Sequence, residues 1–128
     1  MLSLVDPAAD AIWESVGTIV THAGTEERRP HTDEDWEALR LVEATNLLLM
    51  DGRDVAHSSF RSENPGIELE PEEIQELIDA DPETWDELVG DMYRVAETIL
   101  AAVDNRDADR LFDEGGPFDV TCERCHQR

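Results

Sequence analysis

Residues 81–104 read DPETWDELVGDMYRVAETILAAVD, and apolar side chains recur along this segment at spacings of three and four residues. That period matches the turn of an α-helix and puts these side chains on one face. Asp81 followed by Pro82 is a typical helix start, because the carboxylate caps free amides and proline fits the first turn. The segment therefore predicts an amphipathic helix of about six turns. Its apolar face consists of Trp85, Leu88, Val89, Met92, Val95, Ala96, Ile99, Ala102 and Val103.

Two segments nearer the N-terminus show the same periodicity. Asp6-Pro7 opens the first, which is predicted to run as a helix to about Gly24. The acidic stretch at residues 32–35 opens the second, which is predicted to end near Gly52, because carboxylates favour a helix N-terminus. The apolar positions of the first helix are Ile12, Trp13, Val16, Ile19, Val20 and Ala23. Those of the second are Trp36, Leu39, Val42, Leu47, Leu49 and Met50.

The rest of the chain is predicted to hold a long connection and a broken C-terminal stretch. Residues 58–70 contain Pro65-Gly66 and little periodicity, which is typical of a loop. A short extra helix is predicted for residues 71–80. Near the C-terminus, Gly115-Gly116-Pro117 predicts a break, because glycine and proline both disfavour a helix interior. We expect a short helix at residues 108–112 and a last helix from about residue 118.

These segments together predict an all-α fold in one domain spanning residues 1–128. No segment alternates apolar and polar residues for long enough to predict a strand. A chain of 128 residues matches the size of a single domain. Helices joined by one long connection are typical of a bundle. We therefore expect an antiparallel four-helix bundle with one long crossover loop and a short extra helix.

The charge of the chain excludes several classes of partner. Asp and Glu number 32 against 10 Lys and Arg, which gives a formal charge of −22. Binding nucleic acid needs clustered cations, and an anionic membrane surface repels such a chain. No apolar run approaches the roughly 18–20 residues that span a bilayer. We expect no nucleic acid, no membrane insertion and, if the chain has a protein partner, a basic one.

The two cysteines lie in one motif, Cys122-Glu123-Arg124-Cys125-His126. This is the C-x-x-C-H spacing of covalent c-type haem attachment. Thiols three positions apart lie on one side of a helical turn, where each can form a thioether with a porphyrin vinyl group. The imidazole that follows can then reach the iron. Random placement of two Cys and four His produces this pattern roughly 5 times in 10,000, so the motif predicts haem attachment.

Other uses of the motif stay open. A redox-active C-x-x-C usually starts a helix after a strand in a βαβ unit, and no such unit is predicted here. A structural zinc site needs four ligands, so one of His22, His31 or His57 would have to join the motif. In a third alternative the chain is an acidic helical interaction module without haem, whose cysteines form a disulfide, stay as thiols or join a zinc site.

The chain resembles the class II c-type cytochromes, the cytochrome c′ group. The resemblance is carried by CERCH at residues 122–126, by the apolar stripe of the first helix and by four helical segments of which the last bears the motif. It implies one covalent haem c per chain, held by Cys122 and Cys125 with His126 as the proximal iron ligand. It also implies electron transfer or binding of small diatomic gases rather than enzymatic catalysis, and frequent dimers.

The resemblance also predicts which residues surround the haem. It places the first helix on the distal face of the haem, where this chain offers Trp13, Val16, Gly17 and Val20. None of these is Met or His, so an open or sterically shielded sixth position is expected. Arg124 and Arg128 lie close to the motif and are candidates to pair with the propionates. Attachment of haem c implies the periplasm; the N-terminal residues lack a secretory signal, so a mature or trimmed chain is expected.

Overall fold

The structure, a computed structural model, describes residues 4–15, 17–21, 24–28, 32–62 and 64–127. Of residues 17–21, 25–28 and 32–35 it describes the backbone alone. The helices are α1 (Val5–Ser15), α2 (Thr32–Leu48), α3 (Pro71–Ala80), α4 (Pro82–Asp104) and α5 (Ala108–His126). A hairpin of β1 (Gly17–Thr21) and β2 (Gly24–Arg28) separates α1 from α2. Packed helices form the body of the described chain, which confirms the predicted all-α class.

The hairpin corrects two predictions. The first helix ends at Ser15 instead of near Gly24, and the expectation of no strands is wrong for this segment. β1 and β2 pair antiparallel, from Gly17 opposite Arg28 to Thr21 opposite Gly24. The segment TIVT at residues 18–21 is entirely β-branched, which favours strand over helix. The apolar spacing that predicted a longer helix is therefore also compatible with a short strand.

The long predicted helix is confirmed as α4, with the expected cap. The Asp81 carboxylate accepts a hydrogen bond from the Thr84 amide at 3.2 Å, and Pro82 occupies the first turn. At the same end of α4, the Trp85 indole nitrogen donates to the Leu48 carbonyl oxygen at 3.2 Å. This bond fixes the end of α2 against the start of α4.

Four helices share one hydrophobic core, and α3 lies beside it. α4 packs against both α2 and α5, and α1 packs against α2. The predicted short extra helix is confirmed as α3, which contacts α4 and has no fully buried residue. The core residues are Val5, Ala8, Ile12, Ala38, Leu41, Val42, Ala44, Met92, Ala96, Ile99, Ala102, Val103, Leu111 and Phe118.

The predicted break in the C-terminal helix is wrong, because α5 runs without interruption through Gly115-Gly116-Pro117. Two glycines and an interior proline cost a helix about 5 kcal/mol relative to alanine. Leu111 and Phe118, on either side of this sequence, are both buried in the core. Each contributes about 2–3 kcal/mol through burial, so packing offsets most of the cost.

Side-chain contacts bring the ends of three helices together. Arg124, near the end of α5, pairs with Asp91 in the third turn of α4. Trp85, in the first turn of α4, bonds to Leu48 at the end of α2. The antiparallel order of the four bundle helices stays a prediction. No described helix is long and apolar enough to cross a membrane.

Candidate haem-attachment site

The C-x-x-C-H motif forms the last turns of α5. Cys122 packs against the hydrophobic core, Cys125 is half-buried, and His126 is exposed at the helix end. Both cysteines are free thiols. The Gln127 amide closes the helix by donating to the Glu123 carbonyl oxygen at 2.9 Å. Arg124 lies in this last turn, where the helix dipole favours positive charge.

Burial holds both thiols in the protonated form. It raises the pKa of the Cys122 thiol above its ordinary value, and the carboxylates of Asp119 and Asp6 raise it further. The pKa of Cys125 is also raised by burial. Redox exchange and zinc binding both need thiolates, and redox-active cysteines have lowered pKa values. The surroundings of these two cysteines therefore favour stable reduced thiols, which are the form needed to make thioethers.

An open apolar groove of about 500 Å³ lies next to the motif, between α1, α4 and α5. Positions 111, 115, 118, 122 and 126 follow one another on α5 at spacings of three and four, so they share one helix face. The described lining of the groove on α5 ends at Asp119, and Cys122 follows within one turn of the same helix. The groove is lined by Ile12, Trp13, Ile99, Leu111, Phe112, Gly115, Gly116, Phe118 and Asp119.

Trp13 forms one wall of the groove by crossing from α1 to α5. Its indole stacks on the Phe118 ring, with centroids 5.5 Å apart and planes inclined by 21°. A Cβ atom at position 115 would lie only 3.0 Å from Trp13 Cζ3. Gly115 is therefore the residue that lets the indole lie directly on α5. Trp13 is nevertheless 43% exposed, so it borders the groove and is not a core residue.

The residues present fit a haem group. The groove volume lies within the roughly 300–1,000 Å³ of pockets that hold small molecules and cofactors, and its walls are mainly apolar and aromatic. Asp119 is the only charged residue among its described lining residues. The two thiols and the imidazole that covalent attachment requires lie on α5 in the turns after Asp119, and they are not among the described lining residues of the groove. The imidazole of His126 is exposed at the end of α5, so it is accessible as an iron ligand.

The other predicted site residues have different placements. Trp13 lies at the groove, whereas Gly17 and Val20 belong to β1 and not to the first helix. Their predicted place on a helical distal face is wrong for that reason, and their contact with haem stays a prediction. Val16 lies outside the described residues. Arg124 pairs with Asp91, so a propionate would have to share or replace that carboxylate.

The remaining candidates are the second arginine and the three other histidines. Arg128, His22 and His31 lie outside the described residues. His57 is exposed, and its Nδ1 lies 2.8 Å from the Ser59 hydroxyl. Within the described ranges, no three His, Cys, Asp or Glu side chains are grouped so that they could hold a metal ion.

Three residues that line the groove, and Asp91, which pairs with Arg124, have no site role predicted from the sequence. The sequence predicts Gly115 only as a helix breaker, although it lies two turns before Cys122 and so on the same face of α5 as that cysteine. Phe112 and Phe118 were interpreted as helix boundaries, and they line the groove. Asp91 carries no sequence signal, because its role depends on α5 approaching α4.

Comparisons with known proteins add no assignment to this site. No protein-family model, no curated protein and no solved structure matches the chain. The resemblance to class II c-type cytochromes stays a prediction, and CERCH at residues 122–126 is its specific feature.

Proposed function

We propose that this chain is a c-type haem protein that transfers electrons or binds small diatomic gases, and that it is not an enzyme. Cys122 and Cys125 hold one haem c by thioethers, and His126 is the proximal iron ligand. The observation that carries the proposal is the C-x-x-C-H motif in the last turns of α5, directly after the stretch of the same helix that lines an open apolar groove. The groove provides an apolar space for the porphyrin next to the turns of α5 that carry the three attachment residues.

The cysteines are suited to this attachment because burial raises the pKa of both thiols and so favours the protonated form that thioether formation uses. Each thiol adds across one vinyl group: its sulfur bonds to one vinyl carbon, and its proton passes to the other. Nothing leaves, and no oxidant or reductant is consumed. Once the two bonds have formed, the adjacent His126 is held beside the iron at a high effective concentration. The bound haem supplies an iron that changes oxidation state or binds a gas.

The groove residues would exclude water from the haem. Trp13 and Phe118 form a stacked aromatic wall, and Phe112 lies on the same side of α5. An apolar shell controls solvent access and so the reduction potential of the iron.

The same proposal extends to location and partners. Covalent haem attachment places the mature chain in the periplasm. The charge of −22 favours a basic redox partner whose association slows as salt increases. A homodimer, as the resemblance implies, is part of this proposal.

The direct test is the intact mass of the protein made in a host with haem-attachment machinery. We expect the chain mass plus one haem, retained in denaturant, and a red protein. The matched control is the Cys122→Ala/Cys125→Ala double variant, whose haem should be removable by acid and organic solvent. An unmodified chain mass, from cells that mature a known c-type cytochrome, would refute the proposal. A chain lighter by two protons would indicate a disulfide and favour the haem-free interaction module.

A further inference from the structure

The helix that carries the attachment motif contains its weakest sequence just before the motif. Gly115, Gly116 and Pro117 occupy consecutive positions near the middle of α5. Glycine loses more backbone freedom than any other residue when it enters a helix. Pro117 has no amide hydrogen, so the carbonyl of Asp113 lacks its usual helical donor. The helical hydrogen-bond ladder is therefore interrupted between the first and second halves of α5.

A further contact marks the same place. The buried Thr121 hydroxyl donates to the Pro117 carbonyl oxygen at 2.9 Å. A hydroxyl that bonds back by four residues weakens and bends a helix slightly. The three-residue sequence and this bond together concentrate local instability at residues 115–121, directly before Cys122.

The two halves of α5 are held to the bundle differently. The first half has a side-chain cap, because the Asp107 carboxylate accepts from the Arg110 amide at 3.0 Å, and its Ala108 and Leu111 are buried. In the second half, which has no side-chain cap of its own, Phe118 and Thr121 are buried, and the contact with α4 includes the Arg124–Asp91 ion pair, whose side chains are both partly exposed. Exposed pairs contribute only about 0–1 kcal/mol.

We infer that residues 118–126 open from the bundle as a unit, pivoting at Gly115-Gly116-Pro117, and that this opening exposes Cys122 and Cys125 for haem attachment. The role of this opening in haem attachment rests on the proposed function, whereas the opening itself does not depend on that function. The first half of α5 and the other helices stay folded while the motif segment is open. The opening takes Phe118 and Thr121 out of the core, and the weakened backbone ladder at residues 115–117 determines where the segment separates from the rest of the bundle.

Thiol labelling of the haem-free, reduced chain measures the opening. With excess Ellman's reagent, the half-buried thiols react mainly from the open state, so the labelling rate follows its population. Gly116→Ala strengthens the pivot, and the new Cβ has no neighbour within 4 Å. We expect labelling of both cysteines to slow about fivefold. Pro117→Ala should slow it on the order of a hundredfold, because alanine restores the missing amide.

Gly90→Ala is the matched control. Gly90 is a helical glycine in α4, and an added Cβ would lie 3.5 Å from Arg94 Nη1, which is ordinary contact. This variant should raise the melting temperature about as much as Gly116→Ala while leaving the labelling rate unchanged. Equal slowing in Gly90→Ala and Gly116→Ala would show that labelling requires global unfolding and would overturn the inference. Unchanged labelling in Gly116→Ala would also overturn it, because the thiols would then be reached without opening.

The use of the opening is tested separately. In a host with haem-attachment machinery, Pro117→Ala should lower the fraction of chains whose intact mass includes haem, and Gly90→Ala should not. An unchanged fraction would show that attachment does not use the opening. If no variant, nor the parent chain, gains haem, the proposed function fails, while the labelling result still decides whether the pivot exists.

Discussion

Two adjacent glycines in α5 should respond differently to the same substitution. A Cβ atom added at Gly116 meets no atom within 4 Å, whereas one added at Gly115 lies 3.0 Å from Trp13 Cζ3 and 3.6 Å from Trp13 Cη2. Alanine replaces glycine in a helix with a gain of about 1 kcal/mol in both cases. At position 115 the indole must also move away from α5. The two variants therefore separate helix propensity from the packing of Trp13.

The magnitudes follow from these contacts. Gly116→Ala should raise the unfolding free energy by about 1 kcal/mol, which corresponds to about 4 °C in Tm for a domain of this size. Gly115→Ala should gain nothing, because displacing Trp13 weakens its stack on Phe118, and such stacks contribute about 0.5–1.5 kcal/mol. In a Trp13→Ala background the obstruction is absent. There, Gly115→Ala should recover the full gain of about 1 kcal/mol.

The assay is thermal unfolding of the reduced, haem-free protein, followed by circular dichroism at a helical wavelength. The double-mutant cycle compares four chains: the parent, Gly115→Ala, Trp13→Ala and the double variant. Gly116→Ala is the reference in which the new methyl group meets no neighbour. The reasoning would be refuted if Gly115→Ala stabilised the parent chain as much as Gly116→Ala does. It would also be refuted if Trp13→Ala left the effect of Gly115→Ala unchanged.

Three further outcomes are expected. Phe118→Ala should lower the unfolding free energy by about 3–5 kcal/mol, because the ring is buried, whereas exposed Phe112→Ala should change it by less than about 0.5 kcal/mol in chemical denaturation. The folded-state pKa of Cys122 is raised from 9.0, so its contribution to stability should be present below pH 9 and lost at higher pH; Cys122→Ala, measured by denaturation at several pH values, should weaken this dependence and leave the part that the raised pKa of Cys125 contributes. In the haem-loaded protein, His126→Ala should change the absorption spectrum and keep the haem, whereas His57→Ala should change neither.

The sequence by itself determined the elements whose signals are local. Asp81-Pro82 and the long apolar stripe after it predicted α4, because a cap and a helical period need no distant partner. The short helix α3 and the long connection before it were predicted for the same reason. The motif at residues 122–126 was equally visible, since its chemistry depends on spacing along one helix. These features account for the helical class and for the three proposed attachment residues.

The tertiary structure decided what depends on neighbours far along the chain. α5 stays helical through Gly115-Gly116-Pro117 because Leu111 and Phe118 are buried in a core built from four helices. Residues 17–21 form a strand because β2 pairs with them, and their apolar spacing alone does not distinguish this strand from a helix. The groove exists because α1 brings Trp13 onto Gly115. Local propensities differ by about 1 kcal/mol per residue, and burial and pairing, which no single segment contains, exceed that difference.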